Sequence, residues 1–189
     1  FPNWRVLREN LEFFADNHAA GMYPEGNYNS VCGEFGELRA YLLARAMWDP
    51  YMSDDEMNSY KEDFLRGYYG KGWREIEKFI DFTLEHSEGR HMSIWQHPFE
   101  IIPRETYEKH ESEIDSWWDS AYASADEKEK ERIDRSRMQW EAVKLIMHPN
   151  QEDGSKFYDK MKKYAVKWNE WKELKTAPDF KLPPTEWLK

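Results

Sequence analysis

The sequence predicts a mostly α chain of six or seven helices with one short strand, and three observations carry that prediction. Apolar residues recur at spacings of three and four through most of the 189 positions. Two serine-to-glutamate capping boxes stand ahead of such stretches, at Ser53 and Ser124. Only Ala20-Gly21-Met22-Tyr23 is short, apolar, without that period and followed by proline, as a brief buried strand is.

Each element follows from its pattern. Trp4, Leu7, Leu11 and Phe14 give a first helix from Asn3, as N-cap, to about Asn17. The strand Ala20 to Tyr23 leads into the loop Glu25-Gly26-Asn27-Tyr28-Asn29-Ser30. From Glu34 the period returns with Leu38, Leu42 and Ala46, and the helix ends near Trp48, because Asp49 before Pro50 is pushed out of helical geometry. Ser53 caps a third helix with Met57, Tyr60, Phe64 and Tyr68 as its buried stripe, broken at Gly70 and Gly72. A fourth carries Ile76, Phe79, Ile80, Thr83 and Leu84. Residues 87–103 hold Gly89, Pro98 and Pro103 with no period, and read as a long irregular connection. A fifth helix spans Arg104 to Ala123, and Ser124 caps a sixth that ends at Met147 ahead of Pro149. Phe157, Met161, Tyr164, Trp168 and Trp171 form a coiled-coil-like seam on a seventh, followed by a proline-containing tail. Leu38, Leu42, Phe64, Tyr68, Phe79 and Trp140 are expected core residues.

Composition excludes several functions. With 27 Lys and Arg against 37 Asp and Glu the net charge is −10, and no basic run stands alone, so a nucleic-acid partner is not expected. Mean hydropathy is −1.01. No apolar stretch approaches the roughly 18 residues that span a bilayer, so no membrane insertion is expected. Cys32 is the single cysteine, so neither an internal disulfide nor a cysteine-rich zinc site can form. A chain that opens Phe1-Pro2-Asn3 straight into a helix, with no apolar signal region, is expected to be a piece of a longer protein. Aromatic residues make up 16% of the chain, with 10 Trp and 11 Tyr, so many apolar contacts must involve rings. They fit a ring-filled core or platforms on which sugars stack.

Signatures of chemistry are few. There is no nucleophile elbow, phosphate-binding glycine loop or His-Glu-x-x-His motif. His91 and His97, six apart, fit no metal box, and Pro149 occupies the first ligand position of a calcium loop read through Gly154, so no metal or other cofactor is expected. The alternating charges from Asp126 to Arg137 read as a solvated helix face. One segment is arranged like a site. In Tyr23-Pro24-Glu25-Gly26-Asn27-Tyr28 a carboxylate follows a short strand, with amide and phenol groups just after it, which is where an α/β barrel places its ligand contacts. The same residues fit a plain polar turn, and both readings stand open.

The stretch Gly33-Glu34-Phe35-Gly36-Glu37-Leu38-Arg39-Ala40-Tyr41-Leu42-Leu43-Ala44-Arg45-Ala46-Met47-Trp48-Asp49-Pro50, with Asp63-Phe64-Leu65-Arg66-Gly67-Tyr68-Tyr69-Gly70, resembles a bacterial family known as domain of unknown function 4838. Its members are large proteins with a (β/α)8 barrel akin to those of α-glucuronidases and β-N-acetylhexosaminidases. Tyr107 to Met147 also resembles the family's paired helices, and the similarity fades beyond about Gly154. The resemblance implies that residues 1–50 are the last helix, strand and helix of the barrel. Residues 51–175 would then be a bundle of about five helices and 176–189 an extended tail. It maps Glu25, Asn27 and Tyr28 onto the rim where the parent would hold sugar, so the expected partner is a carbohydrate bound through the intact barrel. It supplies no catalytic pair, since a glycosidase needs two carboxyl groups roughly 5 to 9.5 Å apart and the usual ones sit on strands this chain lacks. It also points to a secreted or cell-envelope parent.

The expected function is therefore the C-terminal part of a bacterial glycoside hydrolase, inactive alone, whose helices buttress the barrel. The rival is a non-catalytic carbohydrate-binding or protein-interaction module that uses exposed Trp95, Trp117 or Trp118, because neighbouring Trp117 and Trp118 cannot both face one core. A plain structural bundle is the third possibility.

Overall fold

The structure is a computed structural model that describes residues 3–24, 35–91 and 97–166. Its helices are α1 Val6–Asp16, α2 Gly36–Trp48, α3 Asp54–Tyr69, a 3-10 turn at Gly70–Gly72, α4 Trp73–His86, the single turn α5 Pro98–Ile101, α6 Arg104–Ser124, α7 Glu127–Met147 and α8 Gln151–Tyr164. The mostly α expectation holds, and no strand occurs among the described residues. The chain divides into two compact units, Phe1–Pro24 with Glu37–Ile133, and Glu25–Gly36 with Asp134–Lys189.

In the first unit α4 lies between α3 and α6, and the 3-10 turn touches all three. The α4 sequence places Trp73, Ile76, Phe79, Ile80 and Phe82 inward. Phe79 meets Trp118 of α6 with ring centres 5.2 Å apart, and Phe82 meets Tyr107 at 5.9 Å. Gly72 makes this approach possible. A Cβ there would lie 2.8 Å from the Ala121 backbone, so only glycine lets the turn sit against α6. Gly70 has φ of 57° and faces the Glu129 carboxylate where a side chain would stand. Ahead of this core, Leu11, Ala46 and Met52 form a smaller cluster with Met22, Leu43, Met57 and Tyr60 packed against it. Arg8 ties α1 to the start of α3, donating to Glu12 and to Asp54, each at 2.6 Å.

In the second unit α8 packs on the later turns of α7 through Met138, Leu145, Phe157, Met161 and Tyr164. These include three members of the expected seam, and Trp168 and Trp171 lie outside the described residues. Asn150 caps α8 by accepting from Asp153 N at 2.8 Å, the structural role of a stretch that only superficially resembled a calcium loop.

Several expectations are corrected. Ala20 to Tyr23 joins no ladder among the described residues: Met22 is half-buried against the Leu11 cluster, and Tyr23 is 90% accessible. A single strand has no partner to supply its backbone hydrogen bonds, so the apolar pattern alone does not make it a strand. Helix α1 starts at Val6 without a side-chain cap, and Phe14 is exposed while Leu7 and Leu11 are buried. In α3 the fully buried pair is Leu65 and Tyr69, on the face next to the expected stripe, while Phe64 and Tyr68 are half-buried. Leu38, Leu42, Phe79 and Trp140 are buried as expected. The capping box at Ser53 is present, with Glu56 returning a bond to Ser53 N. The one at Ser124 is shifted by two residues. Asp126 accepts from Lys128 and Glu129, Glu129 returns a bond to Asp126 N, and Ser124 ends α6 instead. Residues 97–101 also escape the irregular reading, because His97 and Glu100 form a capping box around Pro98 at the start of α5.

Gly72→Ala is expected to destabilise the protein by about 1–3 kcal/mol through overpacking. Gly67→Ala serves as the contrast: its Cβ meets nothing within 4 Å, so helix propensity should add up to about 1 kcal/mol. Urea midpoints at unchanged slope check the pair, and a Gly72→Ala midpoint at or above that of the unaltered chain would show that the corner is not tight.

Candidate functional site

Glu25, Asn27 and Tyr28, the residues singled out in the sequence, lie outside the described residues. The first described residue after them is informative. Phe35 is buried with φ of 57°, a conformation that strains a bulky side chain.

Within the first unit, α2 and α3 enclose an open cleft of about 330 Å³ lined by Tyr41, Asp63, Phe64, Gly67 and Tyr68. The spacing of Phe64 and Tyr68 stacks their rings 4.9 Å apart at 19°, and Tyr41 of α2 lies 5.5 Å from Phe64. Both ends of this row are closed by guanidinium groups. Arg132 sits 4.5 Å over Tyr68 and donates to its carbonyl at 3.1 Å, while Arg45 stacks on Tyr41 and Tyr60 at 5.1 and 4.5 Å. The Tyr68 hydroxyl donates to Glu37 at 2.8 Å. The ring faces that a flat ligand would need are thus occupied by other rings and by arginines, and the row cements α2 to α3.

The tryptophans named as a contact surface do not supply one. Trp118 is fully buried, Trp117 is half-buried with its ring 6.2 Å from Phe82, and Trp95 lies outside the described residues. As expected from their adjacency, the two neighbours do not share one environment. His97 is engaged in capping, and no group of three metal-ligating side chains occurs among the described residues. No helix among them is long and apolar enough to cross a membrane.

The exposed rings that sequence reasoning missed are elsewhere. Trp48 is 92% and Tyr51 61% accessible, on the turn between α2 and α3. Their signal was the proline stop itself: a helix that ends at Asp49-Pro50 releases its last side chains from the core periodicity.

The second unit holds an ionic cluster. Lys160 donates to Asp134 at 2.7 Å and Glu141 at 2.6 Å, and the Tyr164 hydroxyl donates to the other oxygen of Asp134 at 2.7 Å. Burial by itself would push the Asp134 carboxyl up, but hydrogen bonds from Lys160 and Tyr164 and the charges of Lys160 and Lys163 outweigh it, so the group sits below the usual carboxylate range. Burial would pull Lys160 down, and its bonds to Asp134 and Glu141 hold it above its ordinary value instead. All these donors and acceptors answer one another across α7 and α8, which is a structural clasp.

The fold and its sites define a mostly α domain with no assembled catalytic constellation among the described residues. Residues 1–81 match the family described as Domain of unknown function (DUF4838). The match ends within α4, short of the Tyr107 to Met147 stretch to which the resemblance was expected to reach. No curated protein and no solved structure matches the chain.

The clasp has a pH signature. A depressed Asp134 contributes stability above its unfolded value of about 3.9, lost as pH falls through the lower folded value; a raised Lys160 contributes below about 10.4, lost as pH rises past its folded value. Asp134→Asn should therefore cost about 1–3 kcal/mol in urea melts at pH 7 and progressively less as the medium is acidified below about pH 4. An equal cost at both ends of that range would show that the carboxylate charge contributes nothing.

Proposed function

We propose that the chain is the C-terminal part of a glycoside-hydrolase-like protein, in which residues 1–50 complete a (β/α)8 barrel and the helices that follow buttress it. The observation that carries this reading is that α1 has apolar residues on two sides. Leu7 and Leu11 enter the core, while Val6 and Phe13, seven apart on another side of the helix, are 44% and 62% accessible. Phe13 and Phe14 already touch edge to face at 5.9 Å. A helix of a barrel needs one side for the strands and others for its neighbours, whereas a surface helix needs only one. The unpaired stretch Ala20 to Tyr23 fits the same picture, since a barrel strand without its neighbours has no ladder to join. In this reading the barrel rim holds a carbohydrate, Glu25, Asn27 and Tyr28 contact it, and the chain alone turns nothing over because the opposed carboxylates would lie on other strands.

Phe13→Asp tests the assembly. In the isolated chain the ring is exposed, so the melting temperature should stay within about 2 °C, as for most surface substitutions. In the polypeptide extended toward its N-terminus by the parent's coding sequence, the same change should bury a charge and lower the melting temperature sharply. Equal tolerance in both would overturn the reading. In that longer protein Glu25→Gln should weaken sugar binding or turnover by at least tenfold, about 1.4 kcal/mol, with the melting temperature nearly unchanged. Unchanged binding together with a large thermal loss would assign Glu25 to structure.

A further inference from the structure

We infer that His86 and His110, which meet across α4 and α6, are the two protein ligands of a site for a borderline-soft divalent transition ion such as Zn2+, with water in its remaining positions. The site lies on α4 and α6 and needs neither the barrel nor the carbohydrate of the reading above, so each can fail without the other.

Helix register brings the pair together. Phe79 of α4 meets Trp118 of α6, and about two turns further along α4 and two turns earlier on α6 His86 meets His110, with ring centres 5.6 Å apart. Phe82 packs against both imidazoles, at 4.4 Å from His86 and 5.4 Å from His110, and gives them a common aromatic floor.

Hydrogen bonds decide which nitrogen each ring offers. His86 Nδ1 is 2.9 Å from the Phe82 carbonyl oxygen, and His110 Nδ1 is 3.0 Å from Glu113 Oε2. A carbonyl and a carboxylate only accept, so in both rings Nδ1 is the donor, and in the neutral imidazole the lone pair then sits on Nε2. Neither Nε2 has a hydrogen-bond partner among the described residues. An imidazole whose Nδ1–H is held by a carbonyl or a carboxylate is the form that binds metals, because the acceptor fixes the tautomer and raises the basicity of the other nitrogen. Packing on Phe82 alone would not require both rings to share it.

The spacing suits one ion. A zinc–nitrogen bond of about 2.0–2.1 Å puts each ring centre roughly 3.2 Å from the metal, so two rings on a tetrahedral ion have centres roughly 5 to 5.5 Å apart. The observed 5.6 Å is close to this, and the 59° between the rings is not that of a stacked pair. A nitrogen pair favours Zn2+ or Cu2+ over Mg2+ and Ca2+, which take oxygen ligands. The place favours a cation as well: His86 is the last residue of α4, where the helix dipole is negative, and Glu113 lies beside His110. The His110 side chain is 26% accessible, which leaves room for the ion to enter with its waters.

Titration calorimetry of the chain with ZnCl2 tests this. One equivalent should bind with a dissociation constant of about 1–100 µM, weaker than a site with four protein ligands. His86→Gln and His110→Gln should each weaken binding at least about tenfold, and Glu113→Ala, which frees the His110 ring, by about tenfold. His148→Gln, in the second unit, should leave it unchanged. Zinc at about 1 mM should raise the melting temperature of the unaltered chain by about 3–10 °C, and that of His86→Gln by much less. Should a variant fail to fold, long-range 1H–15N spectra of the unaltered chain decide: zinc should shift the Nε2 signals of His86 and His110 and keep their Nδ1–H. No binding at about 1 mM zinc, equal binding with both histidines replaced, loss of binding in His148→Gln, displacement of zinc by Mg2+ or Ca2+, or shifts confined to other histidines would overturn the proposal.

Discussion

Everything in the first unit turns on the closeness of Gly72 to Ala121. Because no side chain separates the corner from α6, the 3-10 turn can touch α3, α4 and α6 at once. That geometry sets α4 across α6 and brings Phe79 onto Trp118. The same corner reaches the start of α7, where Glu129 lies against Gly70 and Arg132 binds the carbonyl of Tyr68. The family match stops at residue 81, yet the apolar side of α4 that it contains is covered by residues 104–124. The matched segment is therefore not a physical unit by itself. Cutting after it would expose Ile76, Phe79 and Ile80, and the loss of several fully buried side chains exceeds what a small domain has in reserve.

How much of this was legible depends on whether a feature is local. The box at Ser53 is a contact among four consecutive residues, so the sequence names both partners. Gly70 and Gly72 announce a break, but nothing local says that Ala121 is the reason. The side of α3 that faces the core was misread because two stripes are equally periodic. Met57, Tyr60, Phe64 and Tyr68 meet α2 or its cluster, and Leu65 with Tyr69 enters the deeper core; only the presence of α4 and α6 ranks them. The shift of the α7 cap from Ser124 to Asp126 has a chemical reason, since both residue types cap well and the choice falls to whichever side chain α6 leaves unused. The short α5 was hidden because histidine is a rare cap.

The high aromatic content resolves into two populations with different physics. Rings at helical spacing meet one another along a single face, as Phe64 and Tyr68 do, and then need a guanidinium or another ring at each end. Such a row consumes the surface that a ligand would use, and it explains how a chain with few aliphatic residues still joins its helices. Rings released at a helix end have no such neighbours. Trp48 and Tyr51 belong to this second group because Pro50 ends the period that would have folded them back.

Exposure of large apolar side chains follows the chain rather than the surface at large. Val6, Phe13, Phe14, Tyr23, Met47, Trp48 and Tyr51 all precede Met52, and beyond it Tyr122 is the one large apolar side chain among the described residues with comparable accessibility. A helical bundle that simply tolerated stray rings would scatter them over α3 to α8 as well. Among the described residues, 52–133 leave one such side chain exposed and 3–51 leave seven. The barrel proposed above would cover that part of the chain, and the corner at Gly72, which rests on contacts with α3, α4 and α6, does not depend on it.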